Sequence, residues 1–94
     1  MENLSVKEAE ALISYFKENV ISQEFNDDDT ILNAIIKNDA DFDKALKGLE
    51  ISWYDFGEYP EPFTGVVTTE DGSKSGSFEY KPGSRYYFDQ FSLN

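Results

Sequence analysis

The chain has 94 residues, a formal net charge of −11, and neither histidine nor cysteine. Without cysteine it has no disulfide framework and no thiolate nucleophile, and without either residue it has no ligands for the common type of zinc site. The usual general base near neutral pH is also missing, so catalysis would need other side chains in unusual environments. This composition predicts a non-catalytic binding domain without a cofactor.

The length fits one domain, residues 1–94, that buries a single modest core. No run of about 18 apolar residues is present, so we expect no membrane span. The N-terminus lacks the basic and apolar stretches of a signal peptide, which favours a cytoplasmic protein. Because an acidic chain places carboxylates against phosphates, we expect it to bind neither nucleic acid nor an anionic membrane directly. The composition favours a basic protein partner.

Helical periodicity dominates the first part of the chain. Ser5 and Glu8 have the spacing of a capping box, and the apolar residues after them recur at helical intervals. This pattern predicts a first helix from about Val6 to Val20. The polar segment 26–30 interrupts the pattern and supplies capping oxygens, and a compact apolar stripe after it predicts a second helix from about Thr30 to Lys37.

A third, short helix is predicted between acidic capping residues and a glycine. Asp39 or Asp41 can cap its N-terminus, and Gly48 suits the left-handed position after its C-terminus. From Leu49 to Trp53 apolar and polar residues alternate, which is typical of a half-buried strand. The prolines of the segment 57–62 predict a loop after that strand.

The remainder of the chain has the pattern of a β-meander. Strands over residues 64–69 and 75–80 flank the Asp-Gly pair at 71–72, which is a strong hairpin signal because both residue types tolerate positive φ. A second turn over residues 81–84, with proline before glycine, suits a type II turn. It leads to a last strand from Arg85 to Phe91.

Together these elements predict an α+β fold. Two to three N-terminal helices, about residues 1–48, pack on a C-terminal antiparallel β-meander of three to four strands, about residues 49–94.

The charge is distributed unevenly along the chain. Residues 1–63 hold 15 acidic and 5 basic residues, a balance of −10, whereas residues 64–94 hold 4 and 3, a balance of −1. The excess acid therefore belongs to the predicted helices and to the loop after the first strand.

The segment 53–63 combines acid with aromatic residues. It holds five aromatic and three acidic residues together with two prolines. Tyrosine and tryptophan are common interface anchors, proline lowers the cost of ordering a loop, and acid steers a basic partner. The alternative is that the aromatic residues belong to the core and the loop is only solvated. The predicted partner-binding residues lie here and in the acidic segment 26–29: Tyr54, Asp55, Glu58, Tyr59, Glu61, Asp27, Asp28 and Asp29.

Another acidic stretch matches part of a calcium-binding loop. Four carboxylates have the spacing of EF-hand positions one, three, five and twelve: Asp39, Asp41, Asp43 and Glu50. Position six, however, is Lys44, where the sharp turn calls for glycine, and the following segment is predicted as a strand instead of an exiting helix. A capped short helix with an acidic first turn explains the same residues.

Three functional hypotheses follow. The leading one is a small inhibitor whose acidic surface binds the basic site of a nuclease or another nucleic-acid-acting protein, by analogy with bacterial nuclease-toxin immunity proteins. The alternative is a phage anti-restriction or anti-CRISPR protein that imitates DNA, with carboxylates spaced along a ridge like phosphates. The third is a calcium-binding module.

Overall fold

A computed structural model describes residues 3–56, 59–83 and 87–88. The elements in chain order are strand β1 (Asn3–Leu4), helix α1 (Val6–Asn19), strands β2 (Val20–Phe25) and β3 (Ile31–Ile36), helix α2 (Phe42–Ile51) with a π-helical turn (Ser52–Phe56), and strands β4 (Phe63–Thr69), β5 (Ser75–Tyr80) and β6 (Tyr87–Phe88). Over these ranges the fold is α+β, as predicted, with two helices and a four-stranded mixed sheet. None of the described helices is both long and apolar enough to cross a membrane.

The four-stranded sheet has the order β2-β3-β4-β5. The pairs β2–β3 and β4–β5 are antiparallel hairpins, whereas β3 and β4 run parallel because α2 connects them as a crossover. The predicted antiparallel meander is therefore wrong: the sheet is mixed, and two of its strands precede α2. A separate parallel pair joins β1 to β6, with Leu4 opposite Phe88. The rest of the strand predicted over Arg85–Phe91 lies outside the described residues.

Both helices begin as the sequence predicts. Ser5 and Glu8 form the capping box of α1, and each side chain bonds the other residue's backbone N–H at 3.0 Å. Asp41 caps α2 because its carboxylate accepts a hydrogen bond from the Lys44 backbone N–H at 3.2 Å. These caps satisfy amide groups that a helix N-terminus leaves without intrahelical partners.

The C-terminal part of α2 differs from the prediction. Gly48 does not follow the helix but lies inside it, where an added Cβ would stand 2.1 Å from the Leu12 carbonyl oxygen of α1. Only glycine permits this close approach of the two helices. The strand predicted over Leu49–Trp53 is wrong because these residues continue α2 into the π-helical turn. Leu49 packs toward the sheet and Ile51 toward α1, so burial on two sides hides the helical period.

The largest correction concerns residues 30–37, which contain strand β3 and not the predicted helix. Buried and exposed residues alternate strictly along this strand, from exposed Ile31 to buried Ile36. Isoleucine is β-branched and favours strands, and the spacing of the apolar residues fits either period. The polar segment 26–30 is accordingly the turn of a hairpin and not the cap of a helix.

The hairpin around residues 71–72 is confirmed. β4 and β5 pair from Phe63 opposite Tyr80 onward, and Gly72 takes the positive φ that its turn requires, 77°. Gly83 has φ 91°, as expected in the turn after β5. The core lies between the helices and one face of the sheet, where the inward residues of β3, β4 and β5 meet α2. The opposite face of the sheet carries the exposed residues of β3.

Candidate binding surface

Three aromatic residues of the segment 53–63 join a cluster that spans several elements. We define the aromatic cluster as Phe25, Trp53, Tyr59, Phe63 and Tyr80. Trp53 meets Phe63 edge to face with ring centroids 5.0 Å apart, Phe25 stacks on Tyr59 at 5.1 Å, and Phe63 stacks on Tyr80 at 4.9 Å. Such pairs add to the stability that burial itself provides. The segment therefore covers one end of the core with packed rings.

Tyr59 is fixed to the sheet from two sides. Its backbone carbonyl accepts a hydrogen bond from the Tyr80 hydroxyl at 3.0 Å, and its own hydroxyl donates to the Asp29 carbonyl at 3.4 Å. The ring is half-buried against Phe25. These contacts hold the segment after residue 58 against the β2–β3 turn, so two regions distant in sequence meet at one end of the sheet.

The β2–β3 turn is built by Asn26. The Asn26 side-chain oxygen accepts hydrogen bonds from the backbone N–H groups of Thr30 at 2.8 Å and Ile31 at 3.0 Å. Its amide nitrogen donates to the Thr30 hydroxyl at 3.1 Å. Asp29 takes a positive φ of 56°, a conformation that aspartate tolerates better than most residues. Asn26 thus closes the turn and leaves three consecutive exposed aspartates at its tip, Asp27, Asp28 and Asp29.

The pKa of the Tyr59 phenol depends on the charged groups near it. Burial raises the pKa of the Tyr59 phenol, and the carboxylates of Asp29 and Glu61 raise it further. The Tyr59 hydroxyl bonds the Asp29 carbonyl and Glu61 follows Tyr59 by two residues, so both carboxylates belong to residues near the ring and oppose a negative charge on it. We define the acidic patch as the exposed residues Asp27, Asp28, Asp29 and Glu61: Asp29 and Glu61 lie near Tyr59, and Asp27 and Asp28 precede Asp29 at the tip of the same turn.

The other residues predicted in the segment 53–63 lie differently. Tyr54 is half-buried, and its hydroxyl donates to the Glu79 backbone carbonyl on β5. Burial raises the pKa of the Tyr54 phenol, with a smaller contribution from the Glu50 carboxylate. Asp55 is half-buried in the π-helical turn, and Glu58 lies outside the described residues. Tyr54 thus packs against the core and bonds β5.

The carboxylates with calcium-loop spacing are not gathered around a common point. Asp41 caps α2 through the Lys44 N–H, and Asp43 lies in the first turn of the same helix. Glu50 lies near the end of that helix, two turns farther on. Within the described part of the chain, no group of three or more acidic side chains has an arrangement that could hold a metal ion.

Sequence reasoning missed two residues that organise this surface, Phe25 and Asn26. A signal for both was present, because the residues of β2 include β-branched and aromatic types and end at an asparagine followed by aspartates. That order is typical of a strand that leads into a turn. Extending the first helix to Val20 and starting another at Thr30 left this short strand without an assignment.

The structure also contains a groove beside β2. It has a volume of about 290 Å³ and lies between the helices and the inner side of β2, with Ile13, Phe16, Leu49 and Trp53 as its apolar lining. Lys17 and Gln23 lie at its rim.

The chain matches no protein-family model, no curated protein and no solved structure. Its function is therefore inferred from the chemistry of these surfaces.

Proposed function

We propose that the chain is a small acidic inhibitor that binds the basic site of a nucleic-acid-acting protein, in the manner of a bacterial nuclease-toxin immunity protein. One observation carries this proposal: the acidic patch combines the β2–β3 turn with Glu61 around Tyr59. Asp29 and Glu61 come from acidic segments that are separate in sequence, and both lie near Tyr59. The chain acts by binding and not by catalysis, in keeping with its lack of histidine and cysteine.

The charge of the patch supplies attraction over distance. Exposed carboxylates on a chain with net charge −11 speed the encounter with a basic partner and orient it. At the partner's site they take the positions of phosphates opposite lysine and arginine side chains, where arginine binds a carboxylate through two parallel hydrogen bonds. The inhibitor then blocks the site without being a substrate, because carboxylates offer no phosphodiester bond to cleave.

The aromatic cluster supplies a preorganised support for these charges. Tyr59 is held by the Tyr80 hydroxyl and by stacking on Phe25, and prolines flank Glu61 on both sides. A segment that is already ordered loses less conformational entropy on binding. Tyr59 is half-buried, so part of its ring remains available as an anchor beside the carboxylates.

The compact grouping around Tyr59 favours this proposal over a DNA mimic of the anti-restriction or anti-CRISPR kind. A mimic needs carboxylates along a ridge at about the phosphate repeat, roughly 3.4 Å per strand or its multiples. The acidic patch instead centres on one ring and one hairpin turn. Both proteins would bind a basic partner, so the identity of the captured partner separates them.

Charge reversal at matched positions tests the proposal. The double variant Asp28→Lys, Glu61→Lys changes the acidic patch, and the double variant Asp39→Lys, Glu70→Lys makes the same change in net charge at the other end of the sheet. All four side chains are exposed. The wild-type chain and both variants serve as bait in lysate of the source cell, and the captured protein is identified and purified. Thermal unfolding of each bait shows that it is folded.

We expect the wild-type chain to capture a basic nuclease or related protein and to inhibit its activity at equal molar amounts. The patch variant should lose about a hundredfold or more in affinity, whereas the control variant loses much less because its changes lie away from the interface. Equal losses in the two variants, or a captured partner whose activity is unaffected, would contradict the proposal. Heat released on titration with calcium would instead support the calcium-binding module.

A further inference from the structure

β2 lies at an edge of the sheet. Among the strands that the structure describes, only β3 pairs with β2. The Asn26 N–H donates to the Ile31 carbonyl at 2.9 Å, and in an antiparallel pair every second residue bonds the partner strand. Gln23 and Phe25 therefore direct their backbone N–H and C=O groups away from β3, toward the edge.

A bulge limits the length of this edge. The pairing register shifts between Val20 and Ser22, and Ile21 is 48% exposed. Bulges twist an edge strand and end its pairing, which is one way in which proteins protect an edge from unspecific association. The stretch that remains for pairing runs from Ser22 to Phe25.

The groove described above opens beside this stretch. Gln23 lies opposite buried Ala34, so its side chain is on the core side of the sheet, and it lines the groove together with Ile13 and Trp53. A more open depression continues from the groove along Glu10 and other residues of α1. An elongated, open shape suits an extended chain better than an enclosed small molecule.

The faces of the sheet determine which side chains an added strand would present. A residue next to Gln23 would point into the groove, because neighbouring residues on adjacent strands share a face. The residues before and after it would point to the opposite face, where Glu24 lies opposite Asn33 and both are exposed. The site therefore suits an apolar residue between two residues that complement a carboxylate.

Charge restricts the occupant further. Residues 17–29 contain five acidic residues and one basic residue, Lys17, which lies at the rim of the groove, so the acidic residues predominate. A second copy of the chain, paired through its own β2, would place carboxylate against carboxylate, which opposes association. A basic segment is attracted by the same residues, and the apolar lining of the groove adds a contact that charge alone does not provide.

We propose that an extended segment of a basic protein pairs with β2 as an added strand and places an apolar side chain in the groove. This inference rests on the proposed function for the positive charge of the partner. It adds the way in which the partner is held: backbone hydrogen bonds to Gln23 and Phe25, an apolar anchor against Ile13 and Trp53, and basic side chains beside Glu24.

The test uses the whole chain and the synthetic peptide Lys-Val-Arg-Leu-Arg-Val-Lys, which alternates basic and apolar residues. At saturating peptide, we expect amide hydrogen exchange at Gln23 and Phe25 to slow about tenfold or more, since these amides become hydrogen-bonded. The same peptide with every backbone amide N-methylated keeps its charge but cannot donate a backbone hydrogen bond to β2 from either edge. Its affinity should be about tenfold lower.

Two variants probe the two parts of the site. Gln23→Pro removes an outward N–H that β3 does not use, a change that edge strands tolerate. Ile13→Gln places a polar group in the groove, and Ile35→Gln is its matched control because Ile35 is exposed on the opposite face of the sheet. We expect each of the first two changes to weaken peptide binding about tenfold and the control to have little effect. If Gln23→Pro fails to fold, Ile13→Gln still tests the proposal.

The outcomes separate this inference from the proposed function. Unchanged exchange at Gln23 and Phe25, or equal affinity for the N-methylated peptide, overturns the added strand. If binding is then lost only in the double variant Asp28→Lys, Glu61→Lys, the acidic patch binds the peptide and the proposed function stands. Absence of peptide binding overturns the added strand, as does dimerisation that protects the same amides. The proposed function is then decided by the captured partner and its inhibition.

Discussion

The hairpins β2–β3 and β4–β5 each contribute one strand to the central parallel pair, yet they use the acidic residues of their turns differently. In the β4–β5 turn the Asp71 carboxylate accepts hydrogen bonds from the Ser73 N–H at 2.9 Å and the Thr69 hydroxyl at 3.0 Å. In the β2–β3 turn the corresponding bonds are made by Asn26, and the aspartates lie at the exposed tip. An acidic turn residue is thus evidence for a binding surface only after its structural hydrogen bonds are known.

The strands of the two hairpins also differ in how much of them is buried. Every second residue of β4 is buried from Phe63 to Thr69, whereas the four central residues of β2 are all exposed. β3, β4 and β5 contribute buried residues to the core, whereas β2 and its turn carry the proposed strand-pairing edge and three of the four residues of the acidic patch. Stability and binding are therefore expected to depend on different strands.

The largest expected effect distinguishes the hairpins by stability. Phe78 of β5 is 7% exposed and its ring lies against Gly65, so Phe78→Ala should lower the free energy of unfolding by about 3–5 kcal/mol. Phe25 of β2 is only half-buried, and Phe25→Ala should cost about 1–2 kcal/mol. Urea unfolding measures both values. Equal costs would contradict the difference in burial between β2 and β5.

A smaller effect is expected from the residue that closes the β2–β3 turn. Asn26→Ala removes two hydrogen bonds to backbone N–H groups and should lower the free energy of unfolding by about 1–2 kcal/mol. Asp28→Ala, two residues away, should change it by less than about 0.5 kcal/mol because Asp28 is exposed at the tip. Thermal or urea unfolding compares the two. A larger loss for Asp28 would mean that the tip aspartates are structural.

The loss of stability at acidic pH should depend on the β4–β5 turn. The Ser73 backbone N–H, with the Ser73 and Thr69 hydroxyls, lowers the pKa of the Asp71 carboxyl. A folded-state pKa below the unfolded value contributes stability that is complete above about pH 4 and is lost as the pH falls through the folded value. Asp71→Asn should therefore reduce the loss of stability below about pH 4. Urea unfolding at a series of pH values measures this, and an unchanged slope in the variant would refute it.

The alkaline limb offers a finer comparison. Burial and the two nearby carboxylates raise the pKa of the Tyr59 phenol, so its contribution to stability is complete below about pH 10 and is lost as the pH rises through the folded value. Asp29→Asn or Glu61→Gln should lower this pKa, whereas Glu70→Gln at the other end of the sheet should leave it unchanged. Ring-carbon NMR shifts, assigned with Tyr59→Phe, follow the titration. Identical values in all variants would contradict the convergence of charge on Tyr59.

Local signals in the sequence predicted several elements correctly. The capping box of Ser5 and Glu8, the cap at Asp41 and the hairpin at residues 71–72 each depend on neighbouring residues and fixed turn chemistry. Elements whose period is set by tertiary packing were assigned wrongly. In β3 the spacing of isoleucines suits helix and strand, and in the last part of α2 burial on two sides removed the helical pattern.

The candidate surface could be predicted only in part for the same reason. The acidic segment 26–29 and the segment 53–63 stand out in composition, and both contribute to the acidic patch or its support. Their proximity could not be predicted, because it depends on the hairpin that brings Phe25 onto Tyr59. The structural role of Asp71 could not be predicted either, because it depends on hydrogen bonds with Ser73 and Thr69 and not on charge alone.

The acidic residues of the β2–β3 turn and Glu61 are expected to form one negative surface. NMR relaxation of backbone amides by a cationic and an anionic nitroxide of equal size measures the local potential directly, without a partner. At low salt, where screening is weak, we predict a more negative potential at residues 26–30 than at residues 70–74, and a less negative one at 26–30 in Glu61→Gln. Equal potentials at the two turns, or no effect of Glu61→Gln on the potential at residues 26–30, would show that these residues and Glu61 do not form one negative surface.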